Sequence, residues 1–229
     1  MRAIAPLALG LLLLAATPAG AQPRPTSGDI SVHGGRTVGN GEVVLAAGLG
    51  WPGFWAEALF APSSRFNLSV RVGVDYGSPL LGFATGVGGE VSLPMRLLVY
   101  GEDDIDIALA LRPYGAMGEG ALVGQENAFA DDLGWAVGAE GGVRAGFHVT
   151  DAVTLVGGAL VDVAYVDVPD AERSNGVMFG AGALAGLEAL LSRSTLLFVV
   201  LKAGYGLGPE NAFDSRALFR ASFGLAYRL

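Results

Sequence analysis

Phe66 to Tyr76 reads FNLSVRVGVDY. Its apolar residues, Phe66, Leu68, Val70, Val72, Val74 and Tyr76, take every second position, and Asn67, Ser69, Arg71, Gly73 and Asp75 fill the positions between. Successive side chains of a strand point to opposite faces, so one face is greasy and the other carries an arginine and an aspartate. The fold turns on which face meets the interior. A soluble exported barrel, lipocalin-like and binding an apolar ligand, would bury the apolar face. A membrane barrel would give that face to lipid and turn the charges inward.

The same period of two recurs from Gly41 to the C-terminus. Segments 42–51, 54–61, 66–76, 81–100, 105–114, 133–149, 153–166, 177–190, 195–207 and 217–229 all carry it, which predicts about ten strands. The number becomes eight if the first hairpin or 177–190 is not strand, and twelve if 81–100 divides. Pro94 lies within 81–100 and cannot donate a ladder bond, so a kink or an edge is expected there. Leu184, Leu187 and Leu191 would also suit an amphipathic helix, but Gly180, Gly182 and Gly186 weaken it. The connections alternate in length. APSSR, GEDD, TDA and SRS are short, whereas those after the fifth, seventh and ninth segments are longer, the asymmetry of bacterial barrels with short periplasmic turns and long external loops.

The start of the chain, MRAIAPLALGLLLLAATPAGAQ, has a basic n-region, an apolar h-region and a small-x-small site, which predicts a secretory signal peptide over 1–21. Residues 22–40 are rich in Pro, Gly, Ser and Thr and read as a flexible periplasmic segment, leaving 41–229 as the barrel. Mean hydropathy is +0.48 and only 16% of residues are charged, yet no run of about 18 apolar residues follows residue 21. High hydropathy without such a run is what a membrane barrel shows. The chain has no cysteine, which excludes a lipoprotein anchor, disulfides and a thiolate metal site. A net charge of −8 argues against a nucleic-acid partner.

Charges in the strand segments fall on the phase opposite the apolar one. The acids are Glu57, Asp75, Glu90, Asp106, Glu140, Asp162 and Glu188; the bases are Arg71, Arg96, Arg112, Arg144, Lys202, Arg220 and Arg228. Isolated buried charge is very costly, so these equal numbers predict a salt-bridged lumen. Such a lattice either plugs the barrel or lines a narrow polar conduit or ligand pocket. The many inward glycines could leave space or let long side chains reach across. Trp51, Phe54, Tyr76, Trp135, Phe147, Tyr165, Tyr205 and Tyr227 lie near strand ends, where aromatic girdles sit.

Other candidates carry less. The longer loops hold Glu119, Glu126, Asp131, Asp132, Asp167, Asp170, Glu172, Glu210 and Asp214 against Arg173 and Arg216, without the spacing of a calcium loop. His33 lies in the 22–40 segment and His148 near a short turn, with no Ser or Asp cluster visibly paired with it. No P-loop, HExxH, GxSxG or CxxC motif follows residue 21, and GVGGE and GAGALAG lie in alternating strands rather than nucleotide loops. No metal site or cofactor is expected.

With its export signal, serial alternation and C-terminal FGLAYRL, the chain resembles Gram-negative outer-membrane β-barrel proteins as a broad class. Phe223, Leu225, Tyr227 and Leu229 are the alternate apolar positions of what looks like the terminal assembly signal, which in the family typically ends in Phe or Trp. The resemblance covers roughly 41–229. It implies insertion by the barrel-assembly machinery, outer-membrane lipid as the surrounding partner and a Gram-negative outer-membrane location. The expectation is an all-β, transmembrane, antiparallel up-and-down barrel, monomeric and non-catalytic, with a structural, surface-interaction or narrow-pore role. The alternatives are a barrel enzyme acting on lipid or peptide, and the soluble lipocalin-like barrel.

Overall fold

The computed structural model describes residues 30–77, 85–118, 134–167, 175–208 and 215–229. Its elements are β1 (Val43–Trp51), β2 (Gly53–Ser63), β3 (Phe66–Gly77), β4 (Thr85–Ser92), β5 (Met95–Gly101), β6 (Ile105–Gly118), β7 (Gly134–Thr150), β8 (Val153–Asp167), β9 (Asn175–Leu190), β10 (Thr195–Leu207) and β11 (Ser215–Arg228). Every pairing is antiparallel, and neighbours in the chain are neighbours in the wall. β4 and β5 are two halves of one wall strand, since both pair with β3 on one side and β6 on the other. β1 pairs with both β2 and β11, so the sheet closes on itself as a ten-stranded barrel, with no free edge among the described residues.

The interruption between β4 and β5 falls at Leu93 and Pro94. Proline lacks the N–H a ladder needs, but its carbonyl still accepts from Ser69 N at 2.8 Å, and Leu93 N donates to Pro113 O at 3.0 Å. The wall therefore stays hydrogen-bonded across the break. The segment with an amphipathic-helix alternative is strand β9, in register with β8 from Val153↔Ala189 to Asp167↔Asn175. β6 runs four residues past the sequence-expected end at Tyr114. Gly115 to Gly118 find partners on both sides, Gly88 to Val91 and Gly134 to Val137, so backbone pairing carries a stretch whose side chains signal little.

The faces are those of a membrane barrel. On β3, Leu68, Val70, Val72, Val74 and Tyr76 point outward and are 37–50% exposed, while Asn67 and Ser69 are 2% and 3% exposed. The exterior repeats this around the ring with Leu49, Val91, Leu109, Val137, Val161, Phe179, Leu201 and Phe223. An apolar surface of this extent suits hydrocarbon and not water. The lipocalin-like alternative needs the opposite arrangement, and the exposed apolar face overturns it. Near the strand ends Trp51 packs on Tyr76 and Trp135 on Tyr165, with centroids 5.9 and 5.7 Å apart, and Phe54, Phe147, Tyr205 and Tyr227 face outward.

The expectation of a flexible periplasmic segment over 22–40 needs a second correction. Residues 22–29 lie outside the described residues, as does the proposed signal peptide. Ile30 to Val38, however, lie folded within the barrel, with Ile30, Val32 and Val38 at most 5% exposed. They join Val44, Ala46, Leu59, Ala61, Leu196, Phe198 and Ala226 in one apolar cluster against β1, β2, β10 and β11. The segment turns back into β1 at Asn40–Gly41, where Gly41 has φ +79°, a left-handed conformation that glycine adopts without penalty.

Candidate functional site: the charged lumen

The interior is built in three levels. Nearest the short turns, the inserted segment is gripped by polar groups from β5, β6 and β9. Glu188 accepts from the backbone N–H groups of Val32 and His33 at 2.9 and 2.7 Å. Arg96 donates to the carbonyls of Gly34 and Ser31, both at 2.7 Å. Thr37 Oγ1 donates to Ser64 O at 2.6 Å, and Arg36 lies 3.4 Å from Asp106. A turn with no backbone ladder of its own thus has its amides and carbonyls satisfied by charged side chains of the wall. Close approach is possible because both the segment and the wall present glycine here: a Cβ on Gly35 or on Gly146 of β7 would collide with the Asp106 carboxylate.

His33 projects from the segment into an aromatic corner. Its ring lies 4.8 Å from Phe198 and 5.9 Å from Trp55, which itself stacks on Phe198 at 5.5 Å. Here, too, small wall residues are filled by large neighbours, since a Cβ on Gly224 would meet the Phe198 ring at 2.5 Å. Burial, reinforced by the Arg71, Arg144, Lys202 and Arg96 cations, holds the imidazole well below its ordinary value of 6.5. His33 is therefore neutral at pH 7.

At mid-height lies the charge lattice. Glu140 receives Lys202 at 2.8 Å and Arg144 at 2.9 Å, with Arg112 at 3.4 Å. Arg112 also pairs with Glu90, and Arg220 stands 3.6 Å from that carboxylate. Glu57 and Arg71 face each other in the β2–β3 register and form an ion pair, with the Arg71 guanidinium 4.0 Å above the Trp55 ring. Toward the long-loop end, Tyr114 donates to Asp162 at 3.1 Å, beside a small apolar cluster of Ala136, Ala164, Val166 and Met178. Asp75 lies beside Glu90 and Arg220 along the same cavity wall. The space left between these groups is divided into cavities of about 70, 50 and 70 Å³. The three share Arg112 and Lys202 in their lining, and each has room for a few waters.

Four of the sequence-selected charges fall outside this lattice: Glu188 and Arg96, which grip the inserted segment, and Asp106 and Arg228. Arg228 sits at the short-turn rim, 3.4 Å from Glu42. Asp106 serves the inserted segment and also accepts from His148, whose Nε2 lies 2.6 Å away, while His148 Nδ1 lies 2.9 Å from Thr154 Oγ1. The sequence shows no partner for His148. The β6–β7 and β7–β8 registers supply both, and no linear motif could have revealed them. The order carboxylate–imidazole–hydroxyl is that of a nucleophilic triad, but the same carboxylate oxygen is also engaged by Arg36. The group reads better as a latch on the inserted segment. Sequence reasoning missed that Ser31, Thr37 and Arg36 belong to the site; the alternation of Ile30 and Val32 was the available signal. The acidic loop residues lie outside the described residues, apart from Asp167 at the end of β8. The terminal-signal residues Phe223, Leu225, Tyr227 and Leu229 point outward from β11 and the chain end.

No family model matches the chain, and no curated protein matches it. Solved structures similar to it include outer-membrane proteins. A loop L8 deletion mutant of OmpT from Vibrio cholerae aligns at 14% identity over 81% of this chain and 59% of that one, with a TM-score of 0.33. A major outer membrane protein from Thermus thermophilus aligns at 17% identity over 82% and 98% of the two chains, with a TM-score of 0.32. The translocator domain of autotransporter NalP from Neisseria meningitidis aligns at 12% identity over 82% and 86%, with a TM-score of 0.35. The chain thus spans about 59% of the length of the OmpT variant it matches. The ten-stranded closure itself stands on the strand pairing described above.

Proposed function

We propose that this chain is an integral outer-membrane barrel whose resting lumen is closed, acting as a structural or surface-interaction component of a Gram-negative envelope without catalysis. The observation that carries this reading is the burial of Ile30 to Val38 inside the wall, clamped by Glu188, Arg96 and Asp106. A charged lattice spans the bore above the clamp. The apolar exterior and the aromatic strand ends support a lipid setting, and the short turns support a periplasmic position for the clamped end. The outward row Phe223, Leu225, Tyr227 and Leu229 would serve the assembly machinery during insertion, and the closed wall supports a monomer.

The test is reconstitution of the refolded chain. In planar bilayers it should seal without conductance steps, and in buffer without detergent it should not remain monodisperse. Regular single-channel openings of the unmodified chain would overturn the closed-lumen reading. Monodisperse behaviour without detergent would overturn the membrane setting. Any hydrolysis of lipid or peptide that disappears in His148→Ala and survives in Arg36→Ala would replace the non-catalytic reading with an enzymatic one.

A further inference from the structure

The cavity of about 50 Å³ between the inserted segment and the wall has an unusual lining. Arg71, Arg96, Arg112, Arg144 and Lys202 surround it, against only Glu57 and Glu140. Glu57 is matched by Arg71, and Glu140 is shared by Arg112, Arg144 and Lys202. Arg112 draws further compensation from Glu90, but Arg96 directs its guanidinium at two neutral carbonyls. Glu188, Glu57 and Asp106 act on Arg96 through space, but among the described residues no carboxylate forms an ion pair with it. The lining itself therefore holds more cations than carboxylates, in a place where unpaired charge is costly.

A second, independent observation concerns buried polar atoms. Among the described residues, the Asn67 side-chain amide has no partner for either its nitrogen or its oxygen, although Asn67 is 2% exposed. His33 Nε2, Arg112 Nε and Arg144 Nη1 also lack partners, and all four residues line this cavity. Buried polar groups are normally satisfied, so four such residues around one small space point to an occupant. Water would satisfy the hydrogen bonds and leave the charge. A cation is repelled, and a nucleotide or sugar phosphate is too large.

We propose that this cavity binds one small monovalent inorganic anion, a halide or nitrate, held by Arg144, Asn67 and His33 and serving as the counter-ion that locks the inserted segment to the wall. The proposal rests on the closed lumen, because Val32 and His33 form part of the cavity's lining. The anion bridges groups from the segment, β3 and β7, so its release loosens the segment without opening the barrel's backbone ladder.

The test uses bromide on the full refolded chain in detergent. At constant ionic strength balanced with gluconate, the unfolding midpoint should rise saturably with bromide, chloride or nitrate, and not with sulfate. Crystals grown in bromide should show an anomalous peak between Arg144, Asn67 and His33. Asn67→Leu and Arg144→Met should weaken the apparent bromide affinity at least tenfold while keeping the folded barrel's gel mobility. A midpoint that follows ionic strength alone, or a wild-type crystal with no peak in the cavity, overturns the proposal even if a variant fails to fold. A non-conducting barrel without a bromide response sinks this inference alone; a conducting barrel sinks the closed-lumen reading.

Discussion

Arg96 and Glu188 hold the same turn of chain in complementary ways: the arginine takes the carbonyls of Ser31 and Gly34, and the carboxylate takes the amides of Val32 and His33. The two side chains replace the ladder that a turn inside a lumen otherwise lacks. Hydrogen bonds to a charged group contribute about 1.5–3 kcal/mol each. Glu188→Ala removes two of them and leaves two buried amides without acceptors. The expected outcome is release of the segment while the barrel persists. Trypsin should then cleave after Arg36 in the variant and leave that bond intact in the unmodified chain, with both proteins keeping the mobility of a folded barrel on unheated gels.

Glu140 is the hub of the mid-height lattice. Neutralising it in Glu140→Gln leaves Lys202, Arg144 and part of Arg112 without their carboxylate. Breaking a buried pair from one side costs about 3–5 kcal/mol. Urea unfolding from lipid vesicles should show a loss of that order. Removing a cation as well, in Glu140→Gln with Lys202→Met, should restore part of it. A double variant no more stable than the single one would show that the lattice does not act as a charge-balanced unit.

The lipid face is tested by depth. Val72 lies midway along β3 and is 50% exposed, and Val149 lies at the end of β7 and is 61% exposed. An arginine on the lipid face costs about 2–4 kcal/mol at the midplane and about 0–1 near the interface. Val72→Arg should therefore destabilise the vesicle-embedded barrel far more than Val149→Arg. Equal losses would be incompatible with a hydrocarbon slab centred on Val72.

His33 supplies a pH dependence whose sign is fixed by its surroundings. Arg71 on β3, Arg96 on β5, Arg144 on β7 and Lys202 on β10 all disfavour its protonation, as does burial beside Trp55 and Phe198; Glu188 on β9 holds its backbone N–H. Because the folded value is depressed, the unfolded chain binds the proton more readily. The stability His33 contributes is complete above its ordinary value of 6.5 and declines as pH falls through that value toward the folded one. His33→Phe keeps the aromatic contact and removes the titration. Its unfolding midpoint should fall less than that of the unmodified chain between about pH 7.5 and 5.

The wall was legible because period-two alternation is local. Phe66 to Tyr76 announces its two faces without reference to any other segment, and Pro94 marks its interruption by chemistry alone. The inserted segment was not legible, because its burial depends on partners about 155 residues away, as between His33 and Glu188. Ile30, Val32 and Val38 are too few and too widely set among Gly, Ser and Thr to register as a core. The His148–Asp106–Thr154 group shows the same limit. Its members belong to three strands, and only the closed register brings them within hydrogen-bonding distance.

The strict phase of the charges also sets a penalty on any strand that enters the wall out of register. A one-residue slip exchanges the faces of a strand. If β7 were inserted out of phase, Glu140, Arg144 and His148 would enter hydrocarbon while Trp135, Val137 and Val143 crowded the bore. Each mis-threaded strand would thus meet two penalties at once, one from the lipid and one from the stranded counter-charges of its neighbours. A lattice that contributes little net stability can in this way still select one barrel from many near-identical ones.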